Sequence, residues 1–287
     1  MTSAKTCLLD LTVAGGEAII WGRRTYVMGI INLTPDSFSG DGLGRDLPAI
    51  VEQALRFQAE GADFLDLGAE STRPGHQPIS ADEELDRLIP ALEAVAAQVR
   101  LPISVDTGKS RVARRALDSG ATIINDIWGL KADPLLAEVA AESGAPLVLM
   151  HNQKTRRYQD LLPDIFASLR QSAQKALQAG VSRENIILDP GFGFGKTPAH
   201  NLEVLRRLSE FESLGYPLLI GTSRKSTLGL VLDLPVEERS EGTAATVALS
   251  ISGGVDIVRV HEVKAMVRVC RMADAIVRGW RPPAWEQ

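Results

Sequence analysis

MGIINLTPDSFSGDG, residues 28–42, reads as an apolar strand that stops at Asn32 and opens into a loop carrying Thr34, Asp36, Ser37 and Phe38. A buried parallel strand has this form: a continuous apolar run, then polar side chains delivered at its carboxyl end. Seven more runs bounded by Gly or Pro repeat it along the chain. They are DFLDLG at 63–68, continuing through GAESTRPG to 75, PISVDTGKS at 102–110, IINDIWG at 123–129, LVLMHN at 147–152, IILDPGFGFGKT at 186–197, PLLIGTSRKS at 217–226 and VDIVRVHEV at 255–263. Amphipathic stretches rich in Ala, Leu, Glu and Arg lie between them, as at 81–100 and 163–180, with apolar positions at helical spacing.

Strand then helix, eight times over, predicts an α/β chain, either a closed (β/α)8 TIM barrel or an open doubly wound sheet. Both gather ligands at the carboxyl ends of the strands. The count of eight favours the barrel. A Rossmann sheet would place GxGxxG after its first strand, whereas the glycine cluster Gly191, Gly193 and Gly195 follows the sixth. Residues 1–287 are read as one domain, with an N-terminal extension at 1–25 and the barrel at 26–280. Residues 6–24 alternate weakly about Gly15-Gly16, which suggests a short hairpin closing the bottom of the barrel.

With 287 residues, 45% of them hydrophobic, the chain can bury a large core. A net charge of −5 and 5% aromatic content offer no basic field or stacking surface to nucleic acid. No run is long enough to span a bilayer, and MTSAKTCLLD lacks the pattern of a signal peptide, so a cytoplasmic protein without membrane contact is expected. The two cysteines, Cys7 and Cys270, have no metal-like spacing and read as reduced thiols. Gly108-Lys109-Ser110 and Gly195-Lys196-Thr197 imitate the tail of a phosphate-binding P-loop. Its earlier glycine is replaced by Ile103 in one and Pro190 in the other, so neither is a Walker motif.

Taken in order, MGIINLTPDSFSGDG, ESTRPG, SVDTGKS, INDIWG, LMHN, LDPGFGFGKT, GTSRKS and VRVHEV resemble dihydropteroate synthase, a family of pterin-binding enzymes in folate biosynthesis. The resemblance runs from about Tyr26 to about Arg278. It implies condensation of hydroxymethyl-dihydropterin diphosphate with p-aminobenzoate to dihydropteroate and diphosphate, with Mg²⁺, by a transferase that commonly dimerises through its late helices.

Such a reaction needs charge neutralisation for a diphosphate and paired donors and acceptors for a pterin in an apolar slot. Asp106, Asn125 and Asp189 end the third, fourth and sixth strands, so their side chains can converge over the barrel mouth, although Asp and Asn there also suit helix capping. Arg259 and His261 leave the eighth strand on the same side, separated by Val260, and suit an anion; Arg259 pairing with Glu262 or Asp256, and His261 capping the last helix, are the alternatives. Lys225 and Ser226 lie where the seventh strand gives way to a helix, whose first N–H groups favour a carboxylate.

The resemblance assigns the pterin to Asp106, Asn125, Met150, Asp189, Phe194, Lys225 and Arg259, and the diphosphate to Asn32, Thr72, Arg73, Arg259 and His261. It assigns p-aminobenzoate to Phe38, Thr72, Phe194 and Ser226, and the metal to Asn32. Asp36, Asp106, Asp189 and Lys225 are the candidates for the chemistry. The loops at 36–38 and 71–74 read as lids that exclude water from a reactive pterin-methyl electrophile. An arylamine is neutral near pH 7, so an ionisation-first substitution needs no general-base triad. Phe194 between glycines could equally plug the barrel mouth, and Arg224 reads as structural or a solvated rim charge.

Two rivals remain at this point: a pterin-dependent methyltransferase, which has no use for the diphosphate set, and a catalytically silent pterin-binding paralogue. The chain departs from the family in SFSGDG, where many members have SFSDGG, and in a short segment after His151. A homodimer is expected, with residues 263–277 apolar enough to contribute, although buried core accounts for them as well.

Overall fold

The computed structural model describes residue 11, residues 18–34, 43–71, 77–282 and residue 285. Its strands are β1 (Tyr26–Asn32), β2 (Phe64–Gly68), β3 (Ile103–Asp106), β4 (Ile123–Asp126), β5 (Leu147–Met150), β6 (Ile186–Asp189), β7 (Leu219–Ile220) and β8 (Ile257–Val260). They alternate with α1 (Leu47–Glu60), α2 (Ala81–Ala96), α3 (Ser110–Asp118), α4 (Leu136–Ser143), α5 (Leu161–Gln178), α6 (Pro198–Arg206), α7 (Ser226–Leu232), α8 (Ser240–Ser252) and α9 (Val263–Val277). Every strand pairing is parallel, in the order β6-β5-β4-β3-β2-β1-β8-β7. A single parallel bridge between Leu188 and Leu218 brings the two ends of the sheet together. The barrel expected from the eightfold alternation is the observed fold.

One helix was not anticipated. Between β7 and β8 the chain forms both α7 and α8, because α7 stops at Asp233, held in the left-handed region at φ +54°, and Pro235 follows within two residues. A left-handed residue turns the backbone out of the helix, and proline cannot donate the next helical hydrogen bond.

The period of two along each strand sorts side chains to the two faces of the sheet. Outward residues such as Val27, Ile31, Leu65, Leu67, Val105 and Val258 join the helices in the main core. Gly29 is the outward position on β1 where helix α1 comes closest. A methyl there would lie 2.6 Å from the Phe57 ring of α1 and 3.0 Å from Val263 of α9, so the bare backbone lets both helices seat.

Inward residues form a second, smaller cluster: Tyr26, Met28, Phe64, Ile123, Val148, Ile187, Leu219 and Ile257 fill the lower barrel. Leu11, Ile19 and Trp21 plug it from below, with Leu11 and Ile19 joined by an antiparallel bridge and Trp21 edge-on to Tyr26 at 5.8 Å. Each large side chain buried in this way contributes about 1.5–3 kcal/mol. The proposed turn at Gly15-Gly16 and Cys7 lie outside the described residues. Cys270 is a free, buried thiol.

One step further along the same inward rows, the chemistry changes. Above the apolar floor stand Asp66 and Gly68 on β2, Ser104 and Asp106 on β3, Asn125 on β4, Met150 on β5, Asp189 on β6 and Arg259 on β8. In register, Gly68 faces Asp106, Asp106 faces Asn125, and Met150 faces Asp189. A closed sheet forces these side chains toward one another at the carboxyl pole.

Candidate active site

At that pole lies a cleft of about 510 Å³ lined by Asn32, Asp106, Asn125, Met150, Asp189, Phe194, Lys225, Ser226, Arg259 and His261. Every expected site residue that the structure describes is therefore in one place. Asp36, Phe38, Thr72 and Arg73 lie outside the described residues.

Arg259 organises the floor. Its Nε donates to Asp66 Oδ2 at 2.6 Å and its Nη2 to Asp106 Oδ2 at 3.1 Å. Asp66 Oδ2 also accepts from Asn125 Nδ2 at 3.3 Å. The capping alternative is thereby set aside, since Asp106 and Asn125 use their side chains in this network, and the N-cap positions of α3 and α4 are Lys109 and Leu135. Arg259 pairs with neither Glu262 nor Asp256. Glu262 takes Arg224 instead, at 2.9 Å, which makes Arg224 a structural ion pair at the rim, while Asp256 neighbours Arg278.

His261 approaches Ser223 Oγ through Nδ1 at 2.9 Å, so its Nδ1 is held by the end of the seventh strand segment. Lys225 occupies the position before α7, its Nζ 4.0 Å above the Phe194 ring, a cation–π contact that fixes both. Ser226 begins α7 and is exposed, beside the helix's first N–H groups. Asp189 accepts from the Gly191 N–H at 2.7 Å, across the turn that follows β6.

Three carboxylates and two cations share a buried space, and their acidities move accordingly. Burial pushes Asp189 up to about 6, against the Gly191 N–H and the nearby Lys225. Burial and then the charge of Arg259 push Lys225 down to about 8, against Asp189 and Asp106. Asp106 is raised by burial, with Arg259 pulling the other way and Asp66 adding to the rise. Burial works against the Arg259 guanidinium, but Asp66 and Asp106 outweigh it and hold its pKa above the usual arginine range.

The two lysines of the false P-loops tie loops down. Lys196 Nζ reaches His151 Nδ1 at 2.8 Å, Gly191 O at 3.0 Å and Phe194 O at 3.2 Å, pinning the glycine-rich loop from beneath. Burial, then Lys196, lowers His151 to about 2, so its imidazole is a neutral acceptor rather than a proton carrier. Lys109 bonds Glu70 and the fully buried Glu84, and Glu70 also accepts from the Ile79 N–H at 3.1 Å.

The chain matches the pterin binding enzyme family over residues 28–261. It is 52% identical over 261 residues to dihydropteroate synthase of Bacillus subtilis (strain 168), a span of 91% of this chain and 92% of that protein. The chain belongs to the dihydropteroate synthase family. The dihydropteroate synthase of Yersinia pestis, solved in a sulfonamide drug complex, superposes with a TM-score of 0.89 at 39% identity, covering 95% of this chain and 100% of that one. That of Xanthomonas albilineans, solved with 4-aminobenzoic acid, gives 0.84 at 39% identity, covering 90% and 94%. The family match starts at Met28, within β1, and ends at His261, the last residue of the cleft in chain order.

Within this dihydropteroate synthase scaffold, sequence reasoning missed Asp66, Ser223, and the loop ties of Lys196 and Lys109. Asp66 was legible: in DFLDLG it stands two residues before Gly68, on the inward row, and a charge there must meet another. The lysine ties carried no such signal, because their partners are main-chain carbonyls and side chains from other elements of the fold.

Proposed function

We propose that the chain condenses hydroxymethyl-dihydropterin diphosphate with p-aminobenzoate, giving dihydropteroate and diphosphate in folate biosynthesis. The observation that carries this reading is the convergence of Asp106, Asn125, Asp189 and Lys225 on the cleft that Arg259 and His261 enter from β8. Asp106 and Asp189 accept the amino and ring N–H groups of the pterin, Asn125 supplies amide contacts, and Lys225 donates to a ring acceptor. Met150 and Phe194 wall the ring. Arg259 and His261 donate to the diphosphate, and Arg259, already held on two carboxylates, spends no further ordering cost in doing so. Ser226 and the first N–H groups of α7 receive the aryl carboxylate. Asp36, Phe38, Thr72 and Arg73, outside the described residues, are assigned by the family resemblance to the second-substrate and diphosphate ends.

Departure of diphosphate leaves a cation delocalised into the pterin, stabilised by Asp106 and Asp189, with Asp36 as stabiliser or proton acceptor. The neutral arylamine then attacks the methylene carbon and loses a proton. Asn32 would hold Mg²⁺ through its amide oxygen. It ends β1 at the cleft, and no group of three or more carboxylate, histidine or cysteine side chains gathers as a metal cage among the described residues. Mg²⁺ accepts such a sparse donor set because it retains waters and takes substrate phosphates. When bound it neutralises charge on the leaving diphosphate.

The deciding measurement is diphosphate release that requires both p-aminobenzoate and Mg²⁺, followed from pH 5 to 9. Asp106 and Asp189 must be ionised and Lys225 protonated, so kcat/KM for the pterin substrate is expected to be bell-shaped, with acid limbs near pH 7 for Asp106 and pH 6 for Asp189 and an alkaline limb near pH 8. Each group adds about tenfold of fall per unit beyond its limb. Steady-state release as fast without p-aminobenzoate as with it, or a flat profile across both limbs, contradicts the assignment. A setting in the cytoplasm fits this chemistry, and no helix among the described residues is long and apolar enough to cross a membrane.

We also propose a homodimer built on the outer faces of α7, α8 and α9. Val263, Met266, Val267 and Cys270 of α9 are core, whereas Met272 and Ile276 are 63% and 72% exposed, and Leu249 of α8 and Leu230 of α7 are exposed as well. Large apolar side chains left exposed on successive helices are the kind of surface a second copy would cover. Sedimentation equilibrium should give a dimer that M272E/I276E converts to monomer; a wild-type monomer at micromolar concentration refutes it.

A further inference from the structure

We propose that Asp66 is the positioning residue that fixes which way the Asn125 amide faces, and so sets the donor and acceptor pattern that the cleft offers to a heterocycle. This rests on the pterin reading of Asn125 given above. Asp66 is fully buried and is not among the residues that line the cleft, so its influence passes through its neighbours.

An amide side chain is nearly symmetric in shape but not in chemistry: one end has two N–H donors, the other an acceptor oxygen. Which end meets a ligand is settled by what the amide touches elsewhere. For Asn125 that contact is Asp66 Oδ2, at 3.3 Å from Nδ2. An ionised carboxylate only accepts, so the NH₂ end must face it, leaving the Asn125 carbonyl oxygen and one N–H for the cleft. The reverse orientation would set two acceptors against each other in a buried site, where an unmet group is expected to shift the equilibrium on the order of tenfold to a hundredfold.

Asp66 is itself unable to turn. The same Oδ2 accepts from Arg259 Nε at 2.6 Å, and Arg259 is anchored on Asp106 through its other arm. The Oδ1 of Asp66 has no hydrogen-bond partner among the described residues, so the orienting work falls on one oxygen shared by Arg259 and Asn125. In D66N the side chain is nearly isosteric but can present either a donor or an acceptor, and the Asn125 amide loses its fixed polarity.

The test is a double-mutant cycle on the dissociation constant of 6-hydroxymethylpterin, a ligand without diphosphate, using wild type, D66N, N125A and D66N/N125A. D66N is expected to weaken binding tenfold to a hundredfold in the wild-type background and less than threefold in the N125A background. Equal losses in the two backgrounds, or wild-type binding by D66N, overturn the proposal, because an effect on barrel packing or through Arg259 alone persists when Asn125 is gone. Unchanged binding by N125A alone overturns the pterin reading of Asn125 and this inference with it, and is read separately from the cycle. Should D66N fail to fold, the same cycle is run with D66S, whose short hydroxyl cannot hold the Asn125 NH₂ as a carboxylate does, and equal losses in the two backgrounds again overturn the proposal.

Discussion

Arg259→Ala is expected to lower kcat/KM by about 10³-fold and to destabilise the fold by about 3–5 kcal/mol. Both losses have one origin. The guanidinium neutralises Asp66 and Asp106, which are otherwise two carboxylates in a buried space, with Asp66 fully enclosed. Removing the cation leaves them facing each other without a counter-charge, and the fold must protonate one or admit water. The same change removes the fork proposed to meet the diphosphate, and loss of a preorganised donor at a site of developing charge commonly costs 10²–10³-fold by itself. Arg259→Lys separates the two. An ammonium keeps the charge but cannot span both carboxylates through Nε and Nη2, so most of the stability is expected to return and most of the activity to stay lost. Denaturant unfolding beside steady-state kinetics reads the pair. A kcat/KM within tenfold of wild type for Arg259→Ala, or unchanged stability, refutes the central place given to this residue.

Gly191→Ala is expected to cost about 3 kcal/mol and about 10²-fold in kcat/KM, although its side chain would touch no substrate. Gly191 has φ +72°, a region that costs any other L-residue about 1–2 kcal/mol. A Cβ there would lie 1.9 Å from the His151 carbonyl oxygen, which is main chain and cannot step aside. The loop must therefore lift, and with it go the Gly191 N–H bond to Asp189 and the Gly191 carbonyl that holds Lys196. Since that N–H is the strongest influence opposing the burial of Asp189, the acid limb set by Asp189 should move above 6. A wild-type melting temperature with an unmoved acid limb is the result that rules this out.

Much of the architecture was legible because the signals were local. Each strand announces itself as an apolar run, and the polar residues that enter the cleft stand at or next to its end, so Asp106, Asn125, Asp189, Arg259 and His261 could be named by counting alternate positions. The doubling of helices between β7 and β8 escaped that count because Asp233 and Pro235 look like an ordinary loop until the apolar residues on both sides are seen to be helical. The pairing of charges was the least visible layer. Glu262 and Asp256 are near Arg259 in sequence, yet the partners it takes come from β2 and β3, set by barrel closure rather than by proximity along the chain. Asp66 could have been placed on the inward row by the same counting, but within its own strand nothing states which cation it will meet.

That pairing has a bearing on how the molecule is made. Asp66 and Arg259 are separated by 193 positions, and Asp106 and Arg259 by 153. While the ribosome is still adding the last quarter of the polypeptide, both acidic groups are already present and the guanidinium that balances them has not been synthesised. Burying those two groups together before then would leave them without their counter-charge, which is costly, so closure of the upper layer is expected to wait for the eighth strand. The final strand is thus a latch that brings the balancing charge with it.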